Sequence, residues 1–134
     1  MKHKLFVYGT LKTNQPNTLL KWSCRYIGPE VIEGYKMLDM GAFPAIIPTK
    51  RRSDMVGGEV WEVSDGTLEV IDKLEGFFDE GNPRNLYNRE EYETDVNGEV
   101  FVYVLNMEES NRFEYAVIED GNWDGMMADN GGIL

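Results

Sequence analysis

The chain opens on a short apolar run, Leu5-Phe6-Val7-Tyr8, closed by Gly9. These residue types suit a pleated surface, so residues 4–8 are predicted as a first strand. Asn17, after Pro16, is a possible cap for a short helix over residues 17–24. Farther on, Ile27, Val31, Ile32, Tyr35, Met37 and Leu38 are interrupted by Gly28-Pro29 and by Gly34. That pattern predicts two short strands with a bend. Ala45 to Ile47, between Pro44 and Pro48, is a third candidate strand. Val56 to Val63 alternates more cleanly, with Glu59, Trp61 and Val63 on one face and Val60 and Glu62 on the other. Gly57-Gly58 near its start predicts a bulge or the close approach of another backbone.

The clearest helix is residues 64–75. Ser64 or Asp65 can cap it, Leu68, Ile71 and Leu74 repeat at a three-residue spacing that Val70 can join, and Gly76 stands where a left-handed C-terminal cap would be. Tyr87 to Val96 and Glu99 to Leu105 flank Asn97-Gly98, the strongest short-range signal for a two-residue hairpin. Mostly strands with one well-marked helix gives an α+β class, with a curved sheet or small mixed-strand β-barrel and a few surrounding helices. One domain is predicted over residues 1–123, followed by a Gly-rich, flexible tail over 124–134.

Composition narrows the function. The net charge is −11, from 13 Lys and Arg against 24 Asp and Glu. That argues against nucleic acid and against anionic membrane surfaces, which reward clustered cations. Lys50-Arg51-Arg52 reads as a solvated turn. No run approaches the roughly 18–20 apolar residues of a membrane span, and the first apolar run is too short for a signal peptide. A cytoplasmic location is the expectation. Cys24 and His3 are the only residues of their types. A lone Cys excludes an internal disulfide, and with His3 at a mobile N-terminus a Cys–His nucleophile or a zinc site is disfavoured.

Three features carry candidate chemistry. Tyr8-Gly9-Thr10-Leu11 follows a strand, where exposed amides can hold a carboxylate or a developing oxyanion; it is also an ordinary turn sequence. It lacks the Gly-Lys-Ser/Thr ending of a phosphate loop. Glu75 ends the helix at the negative pole of its dipole, a placement that disfavours the charged form and suits a general base near neutral pH; it is equally compatible with a plain exposed Glu. Tyr87 and Arg89, two apart, share a strand face, as a cross-strand aromatic and a solvated Arg also would.

In their order along the chain these segments resemble a known family. Phe6-Val7-Tyr8-Gly9-Thr10-Leu11-Lys12 with Gln15-Pro16-Asn17 resembles the opening of the γ-glutamylamine cyclotransferase-like proteins. They belong to the wider γ-glutamyl cyclotransferase superfamily, which includes the plant avirulence-induced proteins. Ala42-Phe43-Pro44-Ala45, Gly57-Gly58-Glu59-Val60-Trp61, Ile71-Asp72-Lys73-Leu74-Glu75-Gly76, Leu86-Tyr87-Asn88-Arg89, Val102-Tyr103-Val104 and Gly121-Asn122-Trp123 are similar to further family segments. The resemblance implies a small barrel with helices around it. It implies that amides of Tyr8, Gly9, Thr10 and Leu11 hold a γ-glutamyl head and that Glu75 moves protons, with Tyr87 and Arg89 as further substrate contacts. The sequence departs from the family in two places. Ten residues, Phe77 to Leu86, stand between Glu-Gly and Tyr87 where about four are usual, and this loop is expected to rim the pocket. Thr10 stands where many members have Ser.

The implied reaction is an internal aminolysis: the α-amine of a γ-glutamyl group attacks its own γ-carbonyl, forming 5-oxoproline and releasing an amine. It calls for no metal, nucleotide or other cofactor, and its only expected partner is a small γ-glutamyl compound. Two rivals use the same fold. One is a non-catalytic γ-glutamyl-binding module; the other is an acidic interaction module using the Glu90–Asp95 stretch. The oligomeric state and the released amine are left open by the sequence.

Overall fold

The computed structural model describes residues 2–9, 24–40, 44–106, 116–118 and 121. The helix predicted over 17–24 and the tail over 124–134 fall outside them, apart from Cys24. Strand β1 (Lys2–Val7) is central, antiparallel to β5 (Met55–Ser64) on one side and parallel to β7 (Gly98–Leu105) on the other. Leu5, Phe6, Val7 and Tyr8 are fully buried, so the opening run packs on both faces of the sheet. Beyond β5 lies β2 (Arg25–Glu33); beyond β7 lies β6 (Tyr87–Thr94). A second, three-stranded sheet places β3 (Tyr35–Asp39) between β4 (Pro44–Pro48) and β8 (Ala116–Ile118), with β4 against β7 and β3 against β5. His3 is held within β1, opposite Val63, with its ring 5.6 Å from that of Phe101 and an ion pair to Asp65. It does not sit on a mobile end, because β5 ties the N-terminal strand down.

The α+β reading holds, with α1 (Asp65–Leu74) the one helix among the described residues. The five-stranded sheet does not close into a barrel: no backbone ladder joins its edge strands, β2 and β6. It does curl far enough for side chains to bridge the gap. The Glu33 amide donates to Tyr92 Oη at 2.9 Å, Asn97 Nδ2 to Glu30 Oε1 at 3.2 Å, and the rings of Tyr35 and Tyr92 meet edge-on.

The bend between β2 and β3 falls at Gly34, which has φ +88°. Gly28-Pro29 stays inside β2, an edge strand that has no need of the missing amide. The bulge lies there too, between Tyr26 and Gly28, and not at Gly57-Gly58. Gly58 serves the other expectation, close approach: a Cβ there would lie 2.3 Å from the Val7 carbonyl oxygen. The β6–β7 turn holds three residues, Asp95 to Asn97, where two were expected. Gly98 rather than Asn97 takes positive φ, whereas a two-residue type I′ turn needs it at both central positions. Thr94 Oγ1 secures the turn, accepting from the Asn97 amide and donating to the Gly98 carbonyl.

Candidate active site

Helix α1 places the candidate acid. Ser64 caps its start, Oγ accepting from the Thr67 amide at 3.2 Å. Leu68 and Ile71 are buried, but Val70 and Leu74 are about half exposed. A three-residue step drifts around a helix of 3.6 residues per turn, so by Leu74 the repeat has rotated into solvent. The inward stripe runs through Leu68, Ile71, Asp72 and Glu75, spaced i, i+3, i+4 and i+7. Glu75 is accordingly 1 % exposed. Its backbone, at φ −89° and ψ 0°, is the helix C-cap. Gly76, at φ +69°, donates to the Lys73 carbonyl, and Phe77 donates to the Asp72 carbonyl at 2.9 Å. These two bonds form a Schellman motif that fixes where Glu75 points.

Three buried tyrosines feel the charge of the acid. Burial pushes the phenols of Tyr8 and Tyr87 well up; for Tyr8 the neighbouring Tyr87 and then Glu75 add to it, and for Tyr87 Glu75 does. Burial, then the hydrogen bond to Asp72, pushes Tyr103 up, with Glu75 adding and Arg89 opposing. Glu75 therefore lies within electrostatic reach of all three. Their hydroxyls donate elsewhere: Tyr8 to the Tyr103 carbonyl at 2.7 Å, Tyr87 to the Pro44 carbonyl at 2.8 Å, and Tyr103 to Asp72 Oδ1 at 2.5 Å.

A pH dependence follows. In the unfolded chain these phenols ionise near their ordinary value of about 10; folded, they stay protonated well beyond it. Their contribution to stability is thus complete below about pH 10 and declines as pH rises from there through the raised folded values. Denaturant unfolding is expected to give a clearly smaller free energy at about pH 11 than at about pH 8; equal values would contradict the burial of these hydroxyls.

Of the sequence-predicted site residues, Tyr8, Gly9, Glu75 and Tyr87 are all buried, and Tyr8 and Tyr87 lie within electrostatic reach of Glu75. Thr10 and Leu11 lie outside the described residues. Arg89 is engaged elsewhere: Nη1 contacts Asp72 Oδ2 at 2.5 Å, and the guanidinium lies over the rings of Phe77, 5.1 Å away, and Phe101, 4.7 Å away. The sequence reading gave no role to Asp72 or to the Tyr103 hydroxyl. An acid at i+4 on the apolar stripe was the available signal for the first.

The long loop closes at its base, where the Leu86 amide donates to the Gly76 carbonyl at 3.0 Å. Asn85, fully buried, fills it: Oδ1 accepts from the Phe78 amide, and Nδ2 donates to the Asp79 carbonyl and to Asn88. Phe77, Phe78, Asp79 and Glu80 line a groove beside α1 with Asp72 and Arg89.

Residues 5–125 match the family model described as "Gamma-glutamyl cyclotransferase, AIG2-like". The chain belongs to this family. It is 31 % identical over 109 residues to the Gamma-L-glutamyl-butirosin B gamma-glutamyl cyclotransferase of Niallia circulans, covering 78 % of this chain and 68 % of that one. The crystal structure of an uncharacterized protein from Pyrococcus horikoshii superposes with a TM-score of 0.70 at 26 % identity, over 91 % of this chain and 90 % of that one. The solution structure of ytfP from Escherichia coli gives 0.67 at 26 % identity, over 90 % and 96 %. Membership supports a cyclotransferase function at the family level. Among the described residues, no helix is long and apolar enough to cross a membrane, and no group of three or more His, Cys, Asp or Glu is placed to hold a metal ion.

Proposed function

We propose that this γ-glutamyl cyclotransferase family member closes a γ-glutamyl amide on itself, releasing 5-oxoproline and a free amine, with Glu75 as the proton-moving group. One observation carries the reading: a carboxylate seated on the apolar face of α1, 1 % exposed and within electrostatic reach of three buried tyrosines. Placing an acid in such a setting costs folding free energy, and a group moving protons near neutral pH gains from it.

The substrate's α-ammonium must lose a proton before it can attack the γ-carbonyl, and the departing amide nitrogen must gain one. Glu75 takes the first proton and returns it to the leaving nitrogen; the α-nitrogen sheds a second proton as the ring closes, which Glu75 passes on in the same way, so the amine departs as an ammonium and the carboxylate ends the cycle as it began. Both reacting groups belong to one molecule, and holding them in the closing conformation can lower the barrier by about 7–11 kcal/mol. The backbone after β1, from Tyr8 to Leu11, is the proposed cradle for the γ-glutamyl head and for the oxyanion formed on attack. Tyr87, buried and within electrostatic reach of Glu75, would wall the same pocket. Arg89 would act at the pocket's edge, since its guanidinium is already shared with Asp72.

The Niallia circulans relative is named for a γ-glutamyl compound, γ-L-glutamyl-butirosin B, and the resemblance of Thr10-Leu11-Lys12 and Gln15-Pro16-Asn17 to the γ-glutamylamine group favours γ-glutamyl-amines over γ-glutamyl-amino acids as substrates. A panel of both classes, assayed for 5-oxoproline, tests the proposal. Release from at least one amine is expected. Tight binding of γ-glutamyl compounds with no release would point instead to a binding module.

A further inference from the structure

We propose that Asp72 is a positioning residue for Glu75, acting through Tyr103 and Arg89. The inference rests on the reading of Glu75 as the acid that moves protons. Arg89 on β6 and Tyr103 on β7 are directly paired across the ladder, so their side chains leave the same face of the sheet. Asp72, one helical turn before Glu75, meets both: Oδ1 takes the Tyr103 hydroxyl and Oδ2 takes the Arg89 guanidinium, each at 2.5 Å. One carboxylate thus fastens the last turn of α1 to two adjacent strands.

That fastening fixes two things near the acid. It sets the position of the helix end on which Glu75 stands, already constrained by the bond from the Phe77 amide to the Asp72 carbonyl. It also sets the direction of the Tyr103 hydroxyl. With its proton committed to Asp72, Tyr103 presents only oxygen lone pairs to any other neighbour. Tyr103 therefore cannot donate a hydrogen bond that would hold Glu75 in its charged form and blunt it as a base. The stacking of Phe77 and Phe101 on the guanidinium keeps Arg89 at Asp72.

The test uses the full chain and three variants: Asp72→Asn, Tyr103→Phe, and Arg51→Ala on the exposed turn between β4 and β5. Asp72→Asn and Tyr103→Phe are each expected to lower kcat by roughly 10- to 100-fold, the scale of an ångström-sized misplacement, with KM shifted far less. Their double variant should be no slower than the slower single one, because both break the same link. Arg51→Ala should match the wild type. If Asp72→Asn does not fold, Tyr103→Phe, which loses a single oxygen, carries the kinetic test.

The carboxyl-carbon NMR resonance of Glu75 supplies a second readout that needs no turnover. Asp72→Asn and Tyr103→Phe should both move it, and Arg51→Ala should not. A folded Asp72→Asn with wild-type kcat and an unmoved Glu75 resonance would overturn the positioning role. So would a loss confined to thermal stability. If the wild type releases no 5-oxoproline from any substrate, the cyclisation reading fails by itself, and the resonance alone decides whether Asp72 sets the state of Glu75.

Discussion

Replacing Glu75 with Gln is expected to slow 5-oxoproline release by roughly 10²–10⁴-fold, the usual worth of a general acid–base group. The side chain keeps its shape, and the backbone bonds that cap α1 at Gly76 and Phe77 do not involve it, so the protein should stay folded. KM should change little, because the proposed task of the carboxylate is to move protons while the loop after β1 holds the substrate. Steady-state kinetics read alongside thermal unfolding separate these effects. A folded Glu75→Gln variant with undiminished turnover would remove Glu75 from the mechanism.

Gly58→Ala is expected to produce the largest structural effect of any single methyl group added to the sheet. The new carbon would lie 2.3 Å from the Val7 carbonyl oxygen and 2.7 Å from the Phe6 ring. The ring can swing away, but the carbonyl belongs to the central strand and cannot yield without moving β1. Overpacking of this kind costs about 3 kcal/mol or more where backbone must shift. Val7 leads directly into Tyr8, so activity should fall together with stability. Gly66→Ala, in the first turn of α1, makes the contrast: nothing lies within 4 Å of its added carbon, and a gain of about 0.4–1 kcal/mol is expected. Chemical denaturation of the two variants checks both signs. A Gly58→Ala protein as stable as the parent would mean that β5 does not approach β1 as described.

Much of the scaffold around the acid was legible because its signals are local. Ser64, the apolar positions after it and Gly76 lie within about three helical turns, and each states a backbone requirement that only a few residue types meet. The hairpin was legible for the same reason, although its turn length was not: the choice between Asn97 and Gly98 for the positive-φ position also depends on Thr94. The face of α1 was misread through the choice of period. A three-residue count led to Leu74; following i, i+3, i+4 and i+7 leads to Asp72 and Glu75, two acids on an apolar stripe. The open edge between β2 and β6 and the link from Asp72 to Tyr103 and Arg89 were not legible. They join residues 17 to 67 positions apart, and only the strand order, with β1 between β5 and β7, brings those residues together.

The loop from Phe77 to Leu86 is hydrogen-bonded across its base and filled from within by Asn85. Such a segment behaves as an interchangeable part. Its interior contacts travel with it, and its two feet stay clasped at Gly76 and Leu86. With Phe77 kept, whose amide caps α1 and whose ring stacks on Arg89, chains of this fold can therefore trade residues 78–85 for a shorter or longer stretch without resetting the helix cap that holds the acid, so the length of the loop is separable from the chemistry.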